Sequence, residues 1–250
     1  MIALSEFIQE KLKISNANKR KTKKVKDNKE LRKIIDNRIK KEGVNCDLND
    51  LDVSEITDMS YVFYNCPFDG DISEWDMSNV TMCTGMFAYC AFTGKNGDIN
   101  DWDMSKVTNM EDMFSYSKFE GDISKWDVSA CTTFRGTFKN ASFNGDISKW
   151  NVSSVKNMRE MFLRSKFTGD ISNWDTSNVT NMSEMFYNAT VKCDISKWNI
   201  DKVRFIGNMF NGATVNCDLS SWDLKNITDL NKKNMFANCK LSKQNKPKNL

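Results

Sequence analysis

The chain has 250 residues, 11% of them aromatic and 28% charged, which excludes a disordered chain and suits one large domain or two small ones. It contains no histidine, so the usual general base and the commonest metal ligand are missing, and most hydrolase and zinc-enzyme functions are disfavoured. The net charge of +3 hides an asymmetry, because residues 1–44 hold fourteen Lys and Arg against six Asp and Glu, and the remainder is acidic.

Residues 1–29 are predicted to form an amphipathic helix and a basic linker. The apolar face of this helix suits docking to the rest of the chain, and a targeting or packaging tag is the alternative. That face consists of Leu4, Phe7, Ile8 and Leu12. The basic run Lys19–Lys26 predicts a solvated linker. Nucleic-acid binding is disfavoured, because no aromatic residue is interleaved for base stacking.

Residues 30–44 are predicted to form a capping helix. Asp27 is a suitable N-cap with Glu30 three residues later, and Gly43 suits the position after the last turn. The predicted apolar stripe is Leu31, Ile34, Ile35 and Ile39. Since this helix immediately precedes a repeat region, we expect it to cover the exposed end of the repeat core.

Residues 45–240 contain a repeat with a period of 24 residues, interrupted by two short insertions. The motif Asp-Ile-Ser-x-Trp or a close variant recurs, with Leu51 in the tryptophan slot of the first of eight copies. All seven tryptophans of the chain end this motif: Trp75, Trp102, Trp126, Trp150, Trp174, Trp198 and Trp222. A phenylalanine keeps the same period: Phe63, Phe87, Phe114, Phe138, Phe162, Phe186, Phe210 and Phe236.

Each unit is predicted to contain one strand and one short helix. The tryptophan motif alternates apolar and polar residues, as a half-buried strand does. The following segment, such as 180–186, has apolar residues at i, i+3 and i+4, and Asn181 with Glu184 fits a helical capping box. The predicted fold is an α/β repeat solenoid, a leucine-rich-repeat-like right-handed coil of about eight 24-residue units with tryptophans in its core and a helical N-terminal cap. Residues 241–250 form a polar tail, which we expect to fray.

The unit 169–186 reads Gly-Asp-Ile-Ser-Asn-Trp-Asp-Thr-Ser-Asn-Val-Thr-Asn-Met-Ser-Glu-Met-Phe and resembles the BspA-like leucine-rich repeats of bacterial surface proteins and mycoplasma lipoproteins. The resemblance covers residues 45–240 and implies a solenoid binding or adhesion module without a catalytic site. Family members usually carry a signal peptide or lipid anchor. The N-terminus shows neither pattern, so a cytoplasmic or virion-associated location is expected. Residues 4–14 resemble N-terminal segments of crAss-like gut bacteriophage proteins.

The eight cysteines occupy repeat slots that elsewhere hold Ala, Ser, Gly, Met or Val, which indicates small packing residues with reduced thiols. Disulfides between stacked units, Cys66 with Cys90 or Cys193 with Cys217, are the alternative. Zinc is disfavoured because neither a histidine nor a Cys-x-x-Cys motif supports it. No cofactor and no metal are predicted.

An aspartate precedes the Ile or Leu of the motif in all eight units: Asp47, Asp71, Asp98, Asp122, Asp146, Asp170, Asp194 and Asp218. A ladder of like charges is costly unless each carboxylate accepts hydrogen bonds. We therefore expect each aspartate to accept backbone N–H groups of its own turn, with calcium between units as the alternative.

The expected interaction surface lies in the two slots that follow each phenylalanine, on the predicted helical side. It comprises Tyr64, Tyr89, Tyr116, Arg164 and Tyr187, residue types that dominate binding energy at interfaces. The alternative is that these tyrosines only cover the ends of the predicted helices. Leu163 in the same row is expected to have no core slot. The sequence favours a non-catalytic protein-interaction module with a protein partner, without nucleic acid or a membrane span. A structural or virion-associated protein attached through its N-terminal helix is the alternative.

Overall fold

The computed structural model describes residues 23–250 of the chain. Its regular elements are few and short: β1 (Lys23–Lys24), α1 (Asn28–Glu42), β2 (Leu51–Asp52), β3 (Thr190–Val191), β4 (Thr214–Val215) and a 3₁₀ turn (Lys243–Asn245). β1 pairs in parallel with β2, and β3 with β4. The predicted docking helix with Leu4, Phe7, Ile8 and Leu12 lies outside the described residues. Within residues 23–250 no helix is long and apolar enough to cross a membrane.

The repeat units follow one another as eight stacked coils, which we number 1 to 8 by their phenylalanine, from Phe63 to Phe236. We call the five residues centred on each phenylalanine the Phe turn, for example 61–65 in coil 1. The backbone N–H of the phenylalanine, and of the residues two before and two after it, each donates to a carbonyl oxygen of the next coil. These N···O distances are 2.7–3.1 Å in all seven pairs of neighbouring coils.

The helix predicted for each unit is wrong, because α1 is the only α-helix among residues 23–250. The residues two before and two after each phenylalanine have φ between +49° and +69°, outside the right-handed helical region. In coil 6 the Asn181 side chain accepts from the N–H of Ser183 at 2.9 Å, and Glu184 has φ of +59°, so this pair forms no capping box. The N–H groups that a helix would use internally are directed to the next coil.

The predicted strand in the tryptophan motif is also largely absent. Parallel bridges between coils occur mainly at a different slot, five residues before the phenylalanine: Asp58, Met82, Asn109, Thr133, Asn157, Asn181 and Phe205. The motif itself forms a tight turn in every coil, closed by a backbone bond such as Trp150 N–H to Ile147 O at 3.2 Å. Successive turns therefore replace the strand–helix unit, and the coils still stack in parallel.

The seven tryptophans lie in the interior, each no more than 4% exposed. In four of the six neighbouring pairs the indoles are nearly parallel, as for Trp126 and Trp150, whose centroids are 6.5 Å apart. Each indole N–H donates to a backbone carbonyl of the preceding coil, for example from Trp150 to Ile123 O at 3.2 Å. A second column of stacked rings is formed by the eight phenylalanines of the Phe turns. The period of the sequence therefore places like side chains in contact.

The aspartates before the Ile or Leu accept the backbone N–H two residues later, at 2.8–2.9 Å in all eight coils, as predicted. These bonds are the largest cause of the lowered pKa of Asp146, Asp170, Asp194 and Asp218. The charge ladder is thus compatible with the stack, because each carboxylate is stabilised within its own turn.

The N-terminal cap begins earlier than predicted. α1 starts at Asn28 after the N-cap Asp27, whose carboxylate accepts from the Glu30 N–H at 2.9 Å, and it ends at Glu42. Leu31 and Ile35 of its stripe are fully buried. Residues 23–25 of the predicted linker also belong to the fold, because β1 extends coil 1 and Val25 is completely buried.

The polar tail is packed rather than frayed. The Leu219 N–H donates to Asn245 O at 2.9 Å, and the Asn249 side chain donates to Asp223 at 2.7 Å. All eight cysteines are free thiols, six of them buried. Burial raises the pKa of Cys90 and Cys131 to about 12, so these thiols are poor nucleophiles near neutral pH.

We predict that Trp150→Ala costs about 3–5 kcal/mol of the free energy of unfolding, because the indole leaves a cavity in the middle of the stack. Trp150→Leu is the matched control, since Leu51 fills the same slot in coil 1, and it should cost clearly less. Urea denaturation of both variants measures the difference. If the alanine variant unfolded at the same urea concentration as the wild type, the tryptophans could not be part of the core.

Candidate interaction surface

All five tyrosines of the chain lie at Phe turns: Tyr61, Tyr64, Tyr89, Tyr116 and Tyr187. The first four are between 41% and 55% exposed. Tyr61 was not among the predicted surface residues, and it occupies the slot two residues before the phenylalanine. The same slot holds Gly85 and Gly136 in other coils, and glycine there indicates a positive φ and an outward-facing position. This pattern could have identified Tyr61 as a surface residue.

The four N-terminal tyrosines form a continuous aromatic row across coils 1 to 3. The rings of Tyr61 and Tyr64 meet edge to face with centroids 5.8 Å apart, and Tyr64 meets Tyr89 in the same way at 5.8 Å. Tyr89 and Tyr116 are stacked, with centroids 4.5 Å apart and ring planes 7° from parallel. Burial among these neighbours raises the pKa of the Tyr89 hydroxyl. The row encloses a pocket of about 240 Å³, which Asp112 and Lys139 also line.

Three of these tyrosines occupy backbone positions that L-residues rarely adopt. The φ angles are +60° for Tyr61 and +57° for both Tyr89 and Tyr116. The slot of Tyr89 holds asparagine or glycine in five other coils, residues that tolerate this conformation best. The exposed rings are therefore present despite a local backbone preference for small residues.

A charged cluster continues the surface beyond Tyr116. The Glu160 carboxylate is almost buried, with 8% of its side chain exposed, and it accepts a hydrogen bond from Lys139 and lies 2.8 Å from Arg159 Nε. Burial opposes the charge on Glu160, but these two cations outweigh burial and lower its pKa. Arg159 also donates to Glu184 at 3.3 Å. The cluster therefore stabilises the centre of the surface.

Asp112 contributes a half-buried carboxylate between the tyrosine row and this cluster. Burial raises its pKa, although Arg135 lies 4.0 Å away and acts in the opposite direction. Its side chain lies directly over Gly136 of the next coil, where an added Cβ would come 2.2 Å from the carboxylate oxygen. A larger residue at position 136 is therefore incompatible with this placement of Asp112.

Arg164 and Tyr187 lie together at the C-terminal end of the same surface. The Arg164 guanidinium is 5.8 Å from the centroid of the Tyr187 ring. Both residues line a cleft with Tyr116, Lys139 and Glu160, so the charged cluster separates them from the tyrosine row. Leu163 was expected to lack a core slot; only 8% of it is exposed, but it does not belong to the hydrophobic core of the described residues.

The surface offers hydroxyl groups, aromatic edges and fixed ion pairs, which suit the binding of another macromolecule. Residues 23–250 contain no group of three or more Cys, Asp and Glu side chains placed to hold a metal ion.

A family model described as "Mycoplasma protein of unknown function, DUF285" matches the chain three times, at residues 29–142, 91–192 and 163–249. No curated protein and no solved structure matches the chain. The repeated and overlapping matches follow the repetition of the coils.

We predict that Glu160→Gln lowers the free energy of unfolding by about 2 kcal/mol at pH 7, because Lys139 loses a charged hydrogen-bond partner. Glu160 has a lowered pKa, so its contribution is present above the ordinary glutamate pKa and is lost as the pH falls through the folded value. The difference between wild type and variant should therefore shrink below pH 4. Glu184→Gln, at a more exposed carboxylate, is the control and should have a smaller effect. Denaturation at pH 7 and pH 3 tests this, and an equal difference at both pH values would contradict the assignment.

Proposed function

The chain belongs to the family described as "Mycoplasma protein of unknown function, DUF285", and we propose that it is a non-catalytic interaction module whose tyrosine surface binds a partner protein. We define the tyrosine surface as Tyr61, Tyr64, Tyr89 and Tyr116, continued by the charged cluster to Arg164 and Tyr187. The finer resemblance to BspA-like repeats and to a leucine-rich-repeat-like solenoid is part of the same proposal. The parallel hydrogen bonds between coils and the 24-residue period support it.

The observation that carries the proposal is the separation of aromatic residues by type. The tryptophans and the phenylalanines of the Phe turns are buried, whereas all five tyrosines lie on one surface. A core selected only for packing has no need of this separation. Tyrosine combines a large apolar ring with a polar hydroxyl, which is why it is enriched at interfaces.

The backbone conformation of the row supports the same conclusion. A non-glycine residue in the left-handed region costs roughly 1 kcal/mol, and asparagine reduces that cost. Tyr89 and Tyr116 occupy such positions in adjacent coils and remain nearly half exposed, so burial does not compensate for them. Retention of strained, exposed aromatic residues in contact with each other indicates a binding role.

The test is the double substitution Tyr89→Asn and Tyr116→Asn, which places in coils 2 and 3 the residue already present in coil 1 as Asn65. We expect the melting temperature to stay within a few degrees, since the loss of ring stacking is offset by a better backbone fit. Proteins captured from a host lysate by the wild-type chain are identified by mass spectrometry, purified, and titrated against both forms. Their affinity for the variant should fall at least tenfold, which is about 1.4 kcal/mol.

Phe205→Asn is the matched control, because Phe205 is 47% exposed in a slot that holds Asn109, Asn157 and Asn181 in other coils. It should leave binding unchanged. Equal affinity of wild type and the tyrosine variant would refute the proposal. Loss of binding on deletion of residues 1–22, with the tyrosine variant unaffected, would instead support the structural role in which the N-terminal segment holds the partner.

A further inference from the structure

The hydrogen bonds between Phe turns all run in the same direction along the stack, from the N–H groups of one coil to the carbonyl oxygens of the next. In coil 7 the N–H groups of Asn208, Phe210 and Gly212 donate to the carbonyls of Lys233, Met235 and Ala237 in coil 8, at 3.1, 2.9 and 2.8 Å. The same arrangement holds between every pair of neighbours, so the N–H groups at these slots point toward the next coil and the alternate carbonyls toward the preceding one. The first coil therefore presents carbonyl oxygens at its outer edge, and the last coil presents N–H groups.

The N-terminal edge is closed by α1. The Asn28 side chain donates to Ser60 O at 3.5 Å, and Arg32 donates to Val62 O at 3.1 Å and to Tyr64 O at 2.8 Å. Ser60, Val62 and Tyr64 carry the carbonyls that a preceding coil would otherwise bind. Side chains of the helix thus replace the backbone donors of a missing coil.

The C-terminal edge has no equivalent closure among residues 23–250. The N–H groups of Asn234, Phe236 and Asn238 occupy the donor slots of coil 8, and none of them donates to an acceptor in this part of the chain. Asn234 and Asn238 have φ of +58° and +56°. Successive N–H groups in such alternating conformations form concave sites for anionic or carbonyl oxygens.

The surroundings of this edge are basic and partly apolar. A cleft of about 530 Å³ beside Phe236 is lined by Lys232, Lys233, Lys246 and Asp229, among others. Lys232 pairs with Asp229 at 3.2 Å, and the Lys246 ammonium lies 5.4 Å from the centroid of the Phe236 ring. Lys233 makes no ion pair within the described residues. The cleft therefore brings together three lysine side chains and one aspartate side chain.

We propose that this edge of coil 8, residues 234–238 with Lys233 and Lys246, binds an extended acidic segment of a partner protein. Carbonyl oxygens on alternate residues of the segment accept from Asn234, Phe236 and Asn238, as a further coil would, and its carboxylates lie against the lysines. This mode of binding adds a strand to an exposed edge, where backbone bonds supply affinity and side chains supply specificity. The site is independent of the tyrosine surface.

A second copy of this chain does not fit the edge. The matching carbonyls of its first coil are already occupied by its own Asn28 and Arg32. Two C-terminal edges facing each other would both present donors. The complementary occupant is a chain that brings free carbonyl acceptors and negative charge.

The test uses the full chain labelled with ¹⁵N and a peptide of alternating glutamate and valine, seven residues long and blocked at both ends. We expect the amide signals of Asn234, Phe236 and Asn238 to shift on titration, and their hydrogen exchange to slow at least tenfold. The amides of Asn208 and Phe210 are the internal reference, because they are already bonded to coil 8. A matching peptide of alternating lysine and valine should bind at least tenfold more weakly.

The double variant Lys233→Glu and Lys246→Glu should weaken binding of the acidic peptide at least tenfold, whereas Lys192→Glu with Lys197→Glu, an equal change of charge at exposed sites elsewhere, should not. Hydrogen exchange of the wild type decides the question even if the first variant folds poorly. The proposal is overturned if the three edge amides do not respond to the acidic peptide. It is also overturned if both peptides bind equally, or if inorganic phosphate alone protects the same amides.

Discussion

The hydrogen bonds between successive Phe turns are the interaction on which the rest of this structure depends. Three N–H groups of each turn point to the next coil, at 2.7–3.1 Å, throughout the stack. Alternate N–H groups point toward the next coil because the residues two before and two after each phenylalanine have a positive φ. This conformation turns the phenylalanine inward, as Phe63 and Phe138 show by their complete burial. The neighbouring slots then face outward, where Tyr64 and Tyr89 lie.

The regular spacing between coils also explains which substitutions the repeat tolerates. Because every slot lies above its equivalent in the next coil, like side chains stack, and Trp126 with Trp150 is one example. Cysteine replaces small residues at Cys66 and Cys90 without exposure of the thiol, since these slots are interior. The aspartate ladder is stable because each carboxylate accepts an N–H of its own turn. Local hydrogen bonds thus remove the penalty that stacking of like charges would bring.

The two proposed binding surfaces follow from different parts of this architecture. The tyrosine surface lies along the side of the stack, where side chains are free to vary because no core slot constrains them. The edge of coil 8 lies at one end, where alternate backbone N–H groups have no acceptor among residues 23–250, so that an occupant must supply oxygen acceptors. α1 closes the opposite end through Arg32 and Asn28, so the two ends of the stack are chemically different.

The sequence alone determined the repeat, its period, the interior position of the tryptophans, the N-cap of the capping helix at Asp27 and most of the tyrosine surface. These features depend on composition and period, which a linear pattern records directly. Only the tertiary structure decided that the segment around Met182 and Phe186 is a pair of turns and that Tyr61 joins the row. Apolar residues at i, i+3 and i+4 fit a helix and these turns equally well. The sign of φ at Glu184 is fixed by a hydrogen bond to the next coil, a partner that no local pattern contains.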